Sequence, residues 1–338
     1  QKASICTQCP VGCNLVYEVR REAKSKGKVV IKRVLPRQNE AVNELWLCDK
    51  GRFAYHFTES PERLSTPLIR RNGELTPATW DEALQTAADN IRTAGESLVT
   101  VAGGRLLNED FHALKALSDA QHARVVLYSR MGGGDSVTRV GMTPGSNLAS
   151  LGKGSAILVF ASDLHEEAPI WWLRVKQAAQ RGAVLIVAAG RNTRLDKFAN
   201  FKLRYVYGDE ETVLRELLAG DTDAARAFVS SENSVVFLGS DGMGAAQVAA
   251  SARLLEDLLV HSGHYGKPNN GLIPVWQTAN EQAAWELGLQ LPSSPEETLS
   301  AAMGLYIAGA DPAADGQALK DAVQRAGFVI VQDLFLTE

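Results

Sequence analysis

From residue 97 onward the chain alternates short, wholly apolar runs with longer stretches whose apolar positions recur every three to four residues. SLVTVA, VVLYS, SAILVFAS, AVLIVAA, SVVFLGS, GLYIAGA and FVIVQD have strand length and no polar alternation, which predicts strands buried on both faces. NEDFHALKALSDAQHA, APIWWLRVKQAAQR, AAQVAASARLLEDLLVHS and DGQALKDAVQRA carry helical spacing, and further helical segments fall around 210 to 230. Strands and helices in succession predict parallel sheets covered on both faces, an α/β fold.

The N-terminal residues read differently. NLVYEV and VVIKRVLP flank the basic, Gly-containing RREAKSKGK, which predicts a β-hairpin in a small β-rich unit. SPERLSTPLIRRNGELTP, with three prolines and little periodicity, is expected to be a linker. Thr79 and Glu82 make a capping-box pattern ahead of the helical WDEALQTAADNIRTA. The Gly-rich RMGGGDS at 130–136 marks a boundary or a cleft loop. These breaks divide the chain into 1–56, 57–130, 131–225 and 226–338.

A length of 338 residues exceeds one ordinary core, so two or three domains are expected. With 45% hydrophobic and 22% charged residues the chain is neither disordered nor fibrous. The net charge of −4 leaves no basic footprint for nucleic acid. No apolar run reaches the roughly 18 residues of a membrane span, so none is expected. The chain starts at Gln1 without a signal-peptide pattern and stops soon after an apolar run, which reads as an internal fragment of a longer protein.

All four cysteines lie in the first 48 residues, spaced C-x2-C-x3-C-x34-C through Cys6, Cys9, Cys13 and Cys48. A disulfide scaffold would spread its cysteines, whereas a metal site gathers them. Three thiolates on one loop with a distant fourth suit a [4Fe–4S] cubane, whose irons each take one ligand from a different direction. Structural zinc is the alternative, although zinc sites usually present two short pairs and the second half here has one cysteine. Unliganded thiols are a third reading. Lys50 and Arg52 place positive charge beside a group of net negative charge, which favours its reduced form; Arg52 reads equally well as a solvated surface charge.

The cysteine pattern, CDKGRFAY, the run RFAYHFTESPERLSTPLIRRNGELTPATWDEAL, GSDGMGAAQ, HSGHYGKPNNGLIPV, LYIAGADP and VIVQDLFLTE occur in the order found in the molybdopterin oxidoreductase family, which the chain resembles over nearly its whole length. The resemblance implies a [4Fe–4S] domain at 1–56 and two Rossmann-like αβα domains, with 57–130 and 226–338 forming one around an inserted 131–225. Family enzymes carry Mo or W on a bis-guanine-dinucleotide pterin (bis-MGD). Two positions depart from the pattern. Gly141, within Arg139-Val140-Gly141-Met142-Thr143-Pro144, stands where a Cys or selenocysteine ligand would sit. Val187-Ala188-Ala189-Gly190-Arg191-Asn192-Thr193 lacks the carboxylate that holds guanine, and an unpaired buried polar edge costs about 1 to 3 kcal/mol.

Both losses match the branch formed by the large iron–sulfur subunit (the G-type, 75 kDa subunit) of bacterial respiratory complex I, which has no catalytic molybdenum. The resemblance then implies electron transfer in NADH:quinone oxidoreductase through a cluster of the N7 type. Cys6, Cys9, Cys13 and Cys48 would be its ligands, Lys50 would tune it, and the segment alone would catalyse nothing. It also implies neighbouring subunits, donor and acceptor clusters, and a cytoplasmic position peripheral to the inner membrane. The alternative is the catalytic subunit of a Mo or W enzyme such as a formate dehydrogenase.

Other candidates are weaker. Gly239, Gly242 and Gly244 sit where a strand-to-helix turn can cradle phosphate, without G-x-G-x-x-G spacing. The Asp311-Pro312 loop has the same status. His165, Glu166 and Glu167 form an acid–base trio that is also ordinary at a helix start. His261 and His264 fit a helix C-terminus, and one of Trp171 and Trp172 is expected to pack on a sheet.

Overall fold

The fold was derived from a computed structural model in which residues 1–23 and 27–337 are described. β1 (Lys2–Ile5), β2 (Asn14–Arg21) and β3 (Val29–Pro36) make an antiparallel sheet in that order. β2 and β3 are the expected hairpin, with an irregularity between Glu18 and Val19; part of its expected basic turn, residues 24–26, lies outside the described residues. β1 had no sequence signal beyond four residues, and its pairing of Ile5 with Asn14 delivers Cys6 to the sheet end.

The expected linker contains a second hairpin, β4 (Leu68–Arg71) with β5 (Glu74–Pro77). Asn72 and Gly73 turn it with φ of 52° and 88°, the two left-handed residues that a two-residue hairpin loop requires. Asn-Gly is a strong hairpin signal that the flanking prolines obscured. Thr79 caps helix Trp80–Ala94 by accepting from the Glu82 N–H. β6 (Leu98–Gly103), helix Asn108–Ala120 and β7 (Arg124–Tyr128) follow.

Then come helix Gly134–Val140, β8 (Ser155–Phe160), helix Pro169–Gln180, β9 (Val184–Ala188) and β10 (Phe201–Leu203). Helices Glu210–Ala219 and Asp223–Val229 lead to β11 (Asn233–Leu238), helix Ala245–His261 and β12 (Gly271–Pro274). The chain ends through β13 (Gly304–Ala308), helix Gln317–Arg325 and β14 (Phe328–Gln332).

Two units result. The first, Gln1–Tyr55 with Arg130–Gln282, holds the three-stranded sheet and a five-stranded parallel sheet ordered β10-β9-β8-β11-β12. The second, His56–Ser129 with residues 283 onward, holds a parallel sheet ordered β14-β13-β6-β7. Every residue of β6 and β8 is buried, as strands without alternation require.

One expected boundary is corrected. Residues 226–282 do not return to the sheet of β6: β11 pairs β8 from Asn233 with Ser155 to Leu238 with Phe160, and β12 extends the same sheet. A strand buried on both faces suits any parallel sheet, so its own residues do not name its neighbour. Here the helix it leads into decides. Gly132 and Gly133 let helix Ala245–His261 approach so closely that a Cβ at Gly133 would lie 2.5 Å from that of Ala252.

Within the first unit the thiol-bearing sheet shares one apolar core with the five-stranded sheet. Cys6, Cys9, Cys13 and Leu15 pack with Val159, Leu164 and Ile170. Arg174, 2% exposed, reaches across it to bond the Glu44 carboxylate and, at 2.6 Å, the Glu40 carbonyl. An arginine buried this deeply persists only with such partners.

Candidate metal centre and the sheet switch point

The sequence puts Cys6, Cys9 and Cys13 on one loop between β1 and β2, and two backbone bonds close it. The Cys6 N–H donates to the Cys13 carbonyl at 2.8 Å, and the Gly12 N–H to that of Cys9 at 3.4 Å. Gly12 has φ of +64°, a left-handed turn that glycine adopts without strain. The three thiols are buried, Cys48 is half-buried, and all four are free of disulfides.

Cys48 reaches this loop through Asn43, a residue the sequence reading did not single out. Asn43 is fully buried; its Oδ1 accepts from the Asn14 N–H at 2.9 Å and its Nδ2 donates to the Trp46 carbonyl at 3.0 Å. Weaker bonds reach the carbonyls of Asn14 and Arg37. The segment before Cys48 is thereby pinned beside the residue that follows Cys13. Cys48 opens the short helix Asp49–Phe53, where Gly51 was also missed. A Cβ there would lie 2.7 Å from Leu47 Cδ1 and 3.1 Å from Cys6 Sγ, so the helix approaches the thiol only because position 51 has no side chain.

Electrostatics tie the set together. Burial pushes the Cys6 thiol up, and raises Cys9 to about 11 and Cys13 further; Cys48 adds to the rise in each. Cys6 and Cys9 also push Cys13 up, so ionising one thiol disfavours ionising its neighbours. Backbone bonds from Gln8 and Val11 oppose the rise at Cys6 and Cys9, as amides aimed at a thiolate should. Lys50 also opposes it at Cys9, and its Nζ donates to the Glu167 carbonyl at 3.3 Å. A cationic inorganic core would let these thiols ionise together, and thiols free of disulfides are available as its ligands. Among the described residues no three or more His, Cys, Asp or Glu side chains are arranged to hold a single metal ion. A cubane makes a different demand, because each iron takes only one thiolate of the cage.

The second place of interest is the carboxyl end of the five-stranded sheet. β8 is central, with β9 on one side and β11 on the other, and open α/β sheets receive ligands at such a switch point. Here the chain fills it with its own side chains. Arg191, after β9, bonds Asp241 Oδ2 through Nε at 2.8 Å and Asp163 Oδ2 through Nη1 at 3.2 Å. The Tyr207 hydroxyl donates to Asp241 at 3.3 Å. Its ring lies against Gly190 and Gly242, where added Cβ atoms would come within 2.8 and 2.1 Å of it. Asp163 and Asp241 escaped the sequence reading, although Ser-Asp follows both β8 and β11 closely.

Two of the three phosphate-cradle glycines, Gly239 and Gly244, donate their N–H groups within the chain. The N–H groups of Gly239 and Asp241 donate to the carbonyls of Phe160 and Ala161, both at 2.9 Å, and that of Gly244 donates to Gln247 Oε1 at 2.7 Å. Gly141 has no room for a side chain: a Cβ would meet the Val137 carbonyl oxygen at 2.4 Å. The acid–base trio splits. His165 bonds Glu166 at 2.8 Å and Arg194 at 2.9 Å, whereas Glu167 turns inward to accept from the Ser162 hydroxyl. Burial, aided by Asp241 and Asp163, pushes the Glu167 carboxyl up. Trp171 packs on Phe237 of β11, ring to ring at 5.6 Å, and His264 is buried between the Ser231 carbonyl and Ser262.

Residues 63–338 match the family described as "Molybdopterin oxidoreductase". The chain belongs to the molybdopterin oxidoreductase family. Residues 3–56, the thiol-bearing part, match "NADH-ubiquinone oxidoreductase NDSU1/NuoG-like, 4Fe-4S domain". The G-type subunit of the NADH-quinone oxidoreductase of Streptomyces coelicolor is 33% identical over 70% of this chain and 31% of its own length. Its counterpart in Mycobacterium bovis is 27% identical over 98% of this chain and 45% of its own length. The alpha subunit of the F420-dependent formate dehydrogenase of Methanocaldococcus jannaschii is 24% identical over 99% of this chain and 62% of its own. The chain thus spans less than two thirds of the relatives it matches. Among solved structures, acetylene hydratase from Pelobacter acetylenicus shares the fold, with a TM-score of 0.68 at 13% identity over 99% of this chain and 61% of that one. Among the described residues no helix is long and apolar enough to cross a membrane.

Proposed function

We propose that this molybdopterin oxidoreductase family member is the electron-transfer segment of the large iron–sulfur subunit in an NADH:quinone oxidoreductase. In this reading Cys6, Cys9, Cys13 and Cys48 hold a [4Fe–4S] cluster of the N7 type on a scaffold without catalytic molybdenum. The observation that carries it is that four free thiols share one core cluster, with Asn43 tying their two segments together, in a part of the chain that matches an iron–sulfur domain. Such a cluster supplies one-electron exchange without making or breaking a substrate bond. Burial of Cys6, Cys9 and Cys13 excludes water from the thiolates, Asn43 orients the two ligand segments, and Lys50 places a positive charge that favours the reduced form.

A bis-MGD group does not fit the residues present. Position 141 has neither a ligand nor space for one, and Arg191 and Tyr207 occupy the switch point in place of a guanine-binding carboxylate. Partners in this reading are the other subunits of a membrane-bound complex, with donor and acceptor clusters, and the chain sits at the cytoplasmic face without spanning the membrane. The formate dehydrogenase relative, similar along 99% of the chain, keeps a catalytic Mo or W enzyme as the second reading. Elemental analysis of anaerobically purified protein for Fe, Mo, W and Zn separates them. About four irons without Mo or W are expected. Stoichiometric Mo or W would favour the second reading, and zinc in place of iron would sink both.

A further inference from the structure

The switch point and the thiols are joined by one short piece of backbone. β8 ends at Phe160, and Ala161 follows with φ of +50° although it is not a glycine. A residue held in that region needs its surroundings to keep it there. Two bonds do so directly: the Ala161 N–H donates to the Ala188 carbonyl and its own carbonyl accepts from the Asp241 N–H, both at 2.9 Å. Asp163, two residues on, anchors the turn Leu164–Glu167 in three ways. Its Oδ1 accepts from the His165 N–H at 3.3 Å, and its carbonyl accepts from those of Glu166 and Glu167 at 2.9 and 3.0 Å. The last residue of this turn offers the carbonyl that holds Lys50.

Arg191 is the outside restraint on this piece. Its guanidinium joins Asp163 to Asp241, and Asp241 is also the residue whose N–H holds Ala161. Removing Arg191 would leave two facing carboxylates without their shared cation, and both belong to the strained turn's supports.

Resting on the cluster assignment above, we propose that Arg191 is a positioning residue for the iron–sulfur site, fixing the turn 163–167 so that the Glu167 carbonyl keeps the Lys50 ammonium beside the thiols. Arg191 touches no thiol; it acts through Asp163, the turn and Lys50. Without it, Lys50 swings into solvent, its charge is screened, and the reduced cluster loses its support.

The test is a double-mutant cycle on the full iron-loaded chain, reading the cluster's midpoint potential by dye-mediated titration. Arg191→Gln and Lys50→Met should each shift the potential to more negative values, and Arg191→Gln should add nothing in the Lys50→Met background. Arg191→Lys, which keeps the cation, should recover part of the shift. Hydrogen exchange on the iron-free chain gives an independent readout: amides 164–168 should exchange faster in Arg191→Gln than in the parent. An unchanged potential in Arg191→Gln, or a shift that persists undiminished in the Lys50→Met background, would overturn the proposal. Iron content reports separately on the cluster assignment, since a parent chain without iron defeats that assignment whatever Arg191 does.

Discussion

The thiol loop and the sheet switch point are the two places in this chain where a cofactor was expected, and their side chains are arranged in opposite ways. At the thiol loop the backbone is closed by its own bonds while burial and neighbouring thiols raise the pKa of Cys6, Cys9 and Cys13, so these sulfurs can ionise together only if a cationic group joins them. At the switch point the charge balance is already closed: Arg191 neutralises two carboxylates, Tyr207 covers two glycines, and the loop N–H groups donate to the chain itself. A retained site is therefore recognised by functional groups left unsatisfied in a preformed setting. A shared fold does not reveal it.

The largest effect should come from the thiols. Cys48→Ser is expected to strip most of the iron, abolish the broad visible absorption and destabilise mainly the N-terminal unit; unchanged iron in the purified variant would refute its role as a ligand. Gly51→Val comes next, because its side chain would enter the space within 3.1 Å of Cys6 Sγ. Iron occupancy should drop while the far-ultraviolet circular dichroism of the α/β unit is retained.

Asn43→Ala should cost about 1–3 kcal/mol in chemical denaturation of the iron-loaded chain, since it empties a fully buried position and removes the part-buried bonds to the Asn14 N–H and the Trp46 carbonyl. At the switch point, Gly190→Ala pushes on a half-exposed Tyr207 that can swing aside, so about 1 kcal/mol is expected in the same assay. If Gly190→Ala cost more than Asn43→Ala, the switch point would be the more tightly packed of the two regions.

The smallest effect is a pH dependence. Burial raises the Glu167 carboxyl above the usual range, so the folded chain holds its proton more tightly than the unfolded one. That contribution to stability is complete below the unfolded carboxylate range and is lost as pH rises through the folded value. Glu167→Gln should flatten this part of the stability curve between mildly acidic and neutral pH; an unaltered slope would show that the carboxyl is already ionised in the closed switch point.

Several elements could be read directly because their causes are local. The apolar runs that became β6, β8, β9 and β11, the amphipathic helices between them and the capping of Thr79 all follow from residues close in sequence. The β4–β5 hairpin was equally local, in Asn72-Gly73, and was missed because prolines surround it. Asn43, Gly51, Asp163 and Asp241 were not legible as a set, since each matters through a residue that the fold alone brings near.

By itself the sequence determined that parallel α/β units would form and that all four cysteines are gathered in the first 48 residues, the spacing from which the ligand proposal starts. Periodicity and spacing act over a few residues and survive in a single line of text. Only the tertiary structure decided that β11 joins β8, that Asn43 ties the segment before Cys48 to the residue after Cys13, and that Arg191 and Tyr207 both bond Asp241 at the sheet switch point. Those outcomes depend on steric fit and on hydrogen-bond partners separated by tens of residues, and such partners become neighbours only once the chain has folded.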